Sequence, residues 1–229
     1  MGFLRPERSG LVRSYRQGEP RRIGAATRRE PDMTAVSERN AVAESALWRP
    51  AALAAGPIGL VALAAFIASV VRDGDDEIAL ITSELSIGAS VAGLACLALL
   101  TLGAAGLAGR ISALRRGFGL VASTVAVVGT VLGAGGQWAQ LFVLPGLATV
   151  APDVATNGLG SVLTGYIVSY IIMAIGWVLV GSVLLRTGAP KAASILVIVG
   201  ALLCIAPLPV RFFLLAIAVS LVARWTPAR

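Results

Sequence analysis

The sequence predicts an all-α integral membrane protein, a bundle of six transmembrane helices with both termini in the cytoplasm. Three observations lead there. The 229 residues are 57% hydrophobic and only 14% charged, with a mean hydropathy of +0.85, too little polar surface to enclose a water-soluble core of that size. The apolar residues are gathered into blocks near the roughly 20-residue length of a bilayer crossing. The 19 basic residues fall between those blocks on alternate sides, as the positive-inside bias requires.

Residues 1–46 mix Arg, Glu, Pro, Gly and Ser without a sustained apolar period, so a disordered, arginine-rich cytoplasmic tail is expected there. It carries Arg5, Arg8, Arg13, Arg16, Arg21, Arg22, Arg28, Arg29 and Arg39 and is suited to touching anionic lipid headgroups. Basic charge without interleaved aromatics gives no ground for expecting nucleic acid. Met33 opens a stretch that reads as an ordinary bacterial start, so residues 1–32 are expected to be an upstream extension of the reading frame. Arg21-Arg22 is not read as a twin-arginine export signal, because Glu30, Asp32, Glu38 and Glu44 separate it from the first apolar run.

The transmembrane bundle is expected over residues 47–225, with spans at 51–71, 85–108, 117–141, 161–185, 192–206 and 210–223. A cytoplasmic stub, 226–229, would follow. The first span is long enough to be an uncleaved helix rather than the core of a signal peptide. The stretch from Leu141 to Gly160, with Pro145, Gly146 and Pro152, reads as an outer loop lying partly in the interface. The last apolar stretch is too long for one crossing and is interrupted by Pro207 and Pro209, which divide it into two short helices. A five-span alternative, with one tilted helix and a re-entrant piece, stays open. With the N-terminus inside, every Lys and Arg except Arg72 and Arg211 falls on the cytoplasmic side, while Asp73, Asp75, Asp76, Glu77, Glu84 and Asp153 fall outside. Trp48 and Trp225 then sit at the inner interface.

Small residues should mark the helix contacts, because surrounding lipid tails are as apolar as leucine and association depends on close approach. Gly129 and Gly133 form a GxxxG, Ala105 and Gly109 continue a small face on the second span, and Gly165 with Ser169 offers another on the fourth. Packing within the bundle and dimerisation both fit. Tyr166, Tyr170, Met173 and Trp177 recur along one helical face, suited either to lining a cavity or to packing and lipid contact. Gln137 and Gln140, flanking Trp138, need partners near the outer leaflet: bonds to other helices, the water interface, or an outward-facing pocket.

Several chemistries lack their residues. There is no histidine, and Cys96 and Cys204 lie inside apolar blocks, so no disulfide framework, structural zinc, histidine-ligated haem or other cofactor is expected. Apart from Glu84 and Arg211 near the outer boundary, the spans carry no ionisable acid or base, unlike proton-coupled pumps and voltage sensors. Glu84 and Arg211 are suited to pairing there, or to snorkelling singly. No general base lies beside a nucleophile, and Asp75-Asp76 reads as a solvated turn, so no enzyme is expected.

The arginine-rich start, the Ala/Gly-rich spans, the segment from Gly136 to Pro145 and the terminal double hairpin together resemble uncharacterised small multi-pass membrane proteins of high-GC actinobacteria. That resemblance covers most of residues 47–229 and implies the bacterial inner membrane, without implying an activity. The expected role is a non-enzymatic structural or accessory component, partnered by the lipid bilayer and by another membrane protein. A small permease or carrier for an uncharged or apolar molecule is the alternative. Its cavity would be lined by Gln137, Gln140, Tyr166 and Tyr170.

Overall fold

The computed structural model describes the backbone of residues 33–157, 160–206 and 211–225, with side chains from Trp48 onward. Within these the chain is helical, with no strand. The elements are α1 (Met33–Asp73), α2 (Glu77–Thr82), α3 (Glu84–Arg110), a 3₁₀ turn (Ser112–Arg115), α4 (Gly117–Val150), α5 (Pro152–Asn157), α6 (Gly160–Arg186), α7 (Lys191–Leu203) and α8 (Phe213–Arg224). Four stretches, Trp48–Asp73, Glu84–Arg110, Gly117–Val150 and Pro152–Arg186, are long and apolar enough to cross a membrane. α7 and α8, with 13 and 12 residues, are shorter. At 1.5 Å per residue each is only about 20 Å long. Most of the arginine-rich tail, the Pro207–Pro209 interruption and residues 226–229 lie outside the described residues.

Two boundaries differ from expectation. α1 begins at Met33, inside the stretch expected to be disordered to residue 46. Residues 33–49 hold no Gly or Pro and are rich in Ala, Glu and Arg, so they extend the helix readily. The segment from Leu141 to Val150, expected as loop, continues α4 through Pro145. A proline ring leaves one carbonyl without its donor, but the apolar run on both sides favours keeping the remaining ladder intact in a lipid environment. Among the described residues the connection between α4 and α6 then holds Ala151 and the short α5.

The six longer helices close into a ring. α1 packs on α3, α3 on α4, α4 on α6, α6 on α7 and α7 on α8, and α8 returns to α1. One end is basic, with Arg110, Arg115 and Arg116 between α3 and α4, and Arg186 and Lys191 between α6 and α7. There Trp48, Arg110 and Trp225 cluster, with the Arg110 guanidinium 5.0 Å from the centroid of the Trp48 ring. The opposite end is acidic and carries α2 and α5. Asp76 caps α2 by accepting from the Ile78 and Ala79 N–H groups, which gives this loop carboxylate a structural task. Gly188, at φ +76, turns the chain after α6 in the left-handed conformation that suits glycine.

Glycines decide which faces meet. A Cβ on Gly129 would run into the Met173 backbone, and one on Gly176 into the Ala126 backbone, so α4 and α6 cross at near backbone contact. Gly133 lies on the same face, against Met173 and Tyr170. On α3 the packed glycines are Gly93, Gly103 and Gly106, whereas Gly109 has open space. Gly165 also has open space among the described residues, and the half-buried Ser169 donates to the Gly165 carbonyl on its own helix.

Ser220 of α8 repairs a weak point in α1. Pro57 cannot donate to the Leu53 carbonyl. The Ser220 hydroxyl sits beside that gap, accepting from the Gly56 N–H at 2.9 Å, donating to the Ala52 carbonyl at 2.7 Å and lying 3.3 Å from the Leu53 carbonyl. Gly56 makes room for it.

We expect Gly129→Leu or Gly176→Leu to destabilise the protein by about 1–3 kcal/mol in denaturant titrations of the reconstituted chain, since the added side chain must force two backbones apart. Gly165→Leu, facing open space, should leave the midpoint unchanged.

Candidate functional site

The residues singled out in the sequence divide into an inward and an outward set. Tyr170, Met173 and Trp177 are fully buried, Tyr166 is half-buried, and their face looks into the ring. Gln137 is buried and Gln140 half-buried on α4, while Trp138 between them is exposed and stacks obliquely on Phe142 at 5.2 Å. That alternation follows from helical geometry: positions 137 and 140 share a face, and 138 lies about 100° away.

The inward set forms bonded pairs between α4 and α6. Gln137 Nε2 donates to the Tyr170 hydroxyl at 3.4 Å, and Gln140 Nε2 donates to the Tyr166 hydroxyl at 3.1 Å. Nearer the basic end, Trp177 Nε1 donates to Thr130 Oγ1 at 2.9 Å, and Thr130 passes its own proton to the Ala126 carbonyl at 2.6 Å. Gly93 of α3 leaves room for the Gln137 amide, whose oxygen would lie 3.1 Å from a Cβ at that position. Phe212, fully buried at the start of α8, fills the other side of the same gap.

Arg211 belongs to this centre. Expected near the outer boundary and suited to pairing with Glu84, it is half-buried, with its guanidinium carbon 4.6 Å from the Tyr170 ring centroid and 5.1 Å from that of Tyr166. One of its N–H groups donates to the Cys204 carbonyl at 3.5 Å. The two electron-rich ring faces and the main-chain acceptor are partners for this cation. The short α7 and α8 explain the position, because a hairpin of about 20 Å arms rising from the basic end stops beside the middle of α6. Among the described residues the one ion pair is Arg72 with Asp73, at 2.9 Å on the acidic end.

Beside the glutamines is a cavity of about 180 Å³. Ser86 and Ser90 of α3 and Gln137 and Gln140 of α4 form its polar wall, while Phe66 of α1, Leu80 and Ile81 of α2, and Leu144 of α4 form its apolar wall. Among the described residues no charged side chain lines it. α1 and α4 flank α3 on either side, and the two-turn α2 packs against all three at the acidic end.

Sequence reasoning found the glutamines and the tyrosine stripe because amides and aromatics stand out in an Ala/Val/Leu background. It missed Ser86 and Ser90, whose four-residue spacing puts them on one face, and Thr130 and Ser220, whose importance depends on partners 47 residues or more away. Cys96 and Cys204 are buried free thiols. Cys96 approaches the Ala55 carbonyl at 3.4 Å and Cys204 that of Gly200 at 3.3 Å. Among the described residues no group of three or more His, Cys, Asp or Glu side chains converges as a metal site would require.

We expect Thr130→Val to lower stability by about 1 kcal/mol, the scale of interhelical hydrogen bonds in membranes, because the buried Trp177 N–H loses its acceptor. Trp177→Phe combined with Thr130→Val should cost less than the sum of the single changes in the same denaturant titration. No protein-family model matches this chain, and no curated protein and no solved structure matches it, so its geometry carries the functional argument.

Proposed function

We propose that the chain is a multi-pass protein of the bacterial inner membrane, with six membrane helices and both termini in the cytoplasm, acting as a non-enzymatic structural or accessory component of a membrane complex. The observation that carries this reading is how the interior polar groups are used. Gln137, Gln140, Thr130, Trp177 and Ser220 are bonded to neighbouring helices, which makes them fastenings of the bundle. The orientation rests on the basic end, where Arg110, Arg115, Arg116, Arg186 and Lys191 gather with the Trp48 and Trp225 anchors. α7 and α8 count as membrane helices in this reading even though neither alone reaches the usual crossing length.

The outward Gly165–Ser169 face supports a partner in the membrane, since a small-residue pair with open space above it allows another helix to approach closely. Anionic headgroups at the arginine-rich tail are the expected lipid contact. A carrier for an uncharged or apolar molecule is the second reading, favoured by the convergence of Gln137, Gln140, Tyr166 and Tyr170 beside a cavity. Against it stands helix continuity: α1 runs through Pro57 and α4 through Gly135-Gly136, whereas carriers of the inverted-repeat type use helices broken at the midplane.

Native mass spectrometry of the protein released from its own membrane tests the choice. The accessory reading expects a second membrane protein in fixed stoichiometry, lost when Gly165 is replaced by leucine. Release as this chain alone, with or without further copies of itself, would overturn it.

A further inference from the structure

The cavity beside the glutamines differs from the rest of the interior in how its hydroxyl groups are used. Within the membrane helices, every other buried or half-buried serine or threonine among the described residues donates to a main-chain carbonyl. Ser69 bonds Phe66, Thr101 bonds Leu97, Ser182 bonds Val178, Ser194 bonds Pro190 and Ser220 bonds Ala52. This is the ordinary way for a hydroxyl to satisfy itself where water is scarce. Ser86 and Ser90 are half-buried and line the cavity, and neither hydroxyl has a hydrogen-bond partner among the described residues. Their spacing sets both on the cavity face of α3.

The two glutamine amides add further hydrogen-bonding groups to the same lining. Each glutamine Nε2 gives one of its two N–H groups to a tyrosine hydroxyl, so each amide keeps its second N–H as a donor and its oxygen as an acceptor. The serines both donate and accept. With no charged group among the described lining residues, a charged occupant would find nothing there to offset the loss of its hydration. Beside these polar groups, Phe66, Leu80, Ile81 and Leu144 form the apolar part of the lining. The volume of about 180 Å³ is comparable with the roughly 150 Å³ apolar cavity that accepts benzene, so the occupant is a small molecule or the small head of a larger one.

We propose that this cavity is a binding site for an uncharged, hydroxyl-bearing amphiphile, its hydroxyl held between Ser86, Ser90 and the two glutamine amides and its apolar body resting against Phe66 and Leu144. Two sources share that chemistry: a free small alcohol, and the glycerol head of a neutral lipid. The site does not depend on the accessory role, because a bundle that fastens a complex can hold a ligand at its acidic end.

The full chain in phosphatidylethanolamine–phosphatidylglycerol bilayers would be photolabelled with three diazirine probes: an octanol, the matching octane without a hydroxyl, and a monoacylglycerol carrying the diazirine near its head. Labelled residues are mapped by peptide mass spectrometry. We expect the octanol to label Phe66, Leu80, Ile81 and Leu144 in preference to the lipid-facing residues, and the octane to show no such preference. Replacing both serines with valine should cut that labelling about fivefold, the factor expected for one net neutral hydrogen bond. Ala89→Phe, which fills the cavity, should abolish it. If Ala89→Phe fails to fold, the serine pair alone decides. Enrichment with the monoacylglycerol as well assigns the site to lipid heads, and enrichment with octanol alone assigns it to free alcohols. Octanol labelling that is spread over the lipid-facing helices, or unchanged in the serine-to-valine variant, would overturn the proposal and leave a cavity that holds water only.

Discussion

A polar group inside hydrocarbon has no water to bond, and each must find its partner within the protein. That constraint organises this bundle. It sends the Ser220 hydroxyl of α8 into the gap that Pro57 leaves in α1, and it joins Trp177 to Thr130 across the α4–α6 contact. It also sets the two glutamines of α4 against the two tyrosines of α6. Arg211 is the extreme case, its charge resting on two aromatic faces and a main-chain carbonyl at the tip of a hairpin that stops beside the middle of α6. Remove these bonds and the helices would still be long and apolar, but little would fix which faces meet.

Close approach supplies the rest. With no hydrophobic force to press lipid-immersed helices together, contact strength depends on how near the backbones come. Gly129 and Gly176 bring α4 and α6 into near backbone contact, and Gly106 admits Trp48 between α1 and α3. Gly165, with the same residue type at similar spacing, meets nothing among the described residues. The bundle therefore uses some of its small residues inside and leaves others on the surface, and only the latter are available to a partner.

What the sequence made legible follows the same physics. The four long apolar blocks emerge as helices at nearly the expected places, because length and hydropathy are local properties. The amide–tyrosine centre was visible because such residues are costly in an apolar helix and seldom idle. The extension of α4 through Pro145 was not, since a proline marks a loop in water but is tolerated where an apolar run continues in lipid. Nor did spacing separate Gly129–Gly133 from Gly165–Ser169, because neighbours rather than sequence decide which small face is covered. The inward turn of Arg211 depended on how far α7 and α8 reach, and Ser86 and Ser90 carried no signal until a cavity was found in front of them.

The proposed orientation puts the basic end of the ring in the cytoplasm and the α2 end outside. Single cysteines at Ser112, exposed in the 3₁₀ turn of the basic end, and at Asp75, exposed beside α2, test this when Cys96 and Cys204 are replaced by alanine. A membrane-impermeant maleimide applied to intact cells should modify the cysteine at 75 and spare the one at 112 until the membrane is opened. Modification of position 112 in intact cells, with position 75 protected, would contradict the account.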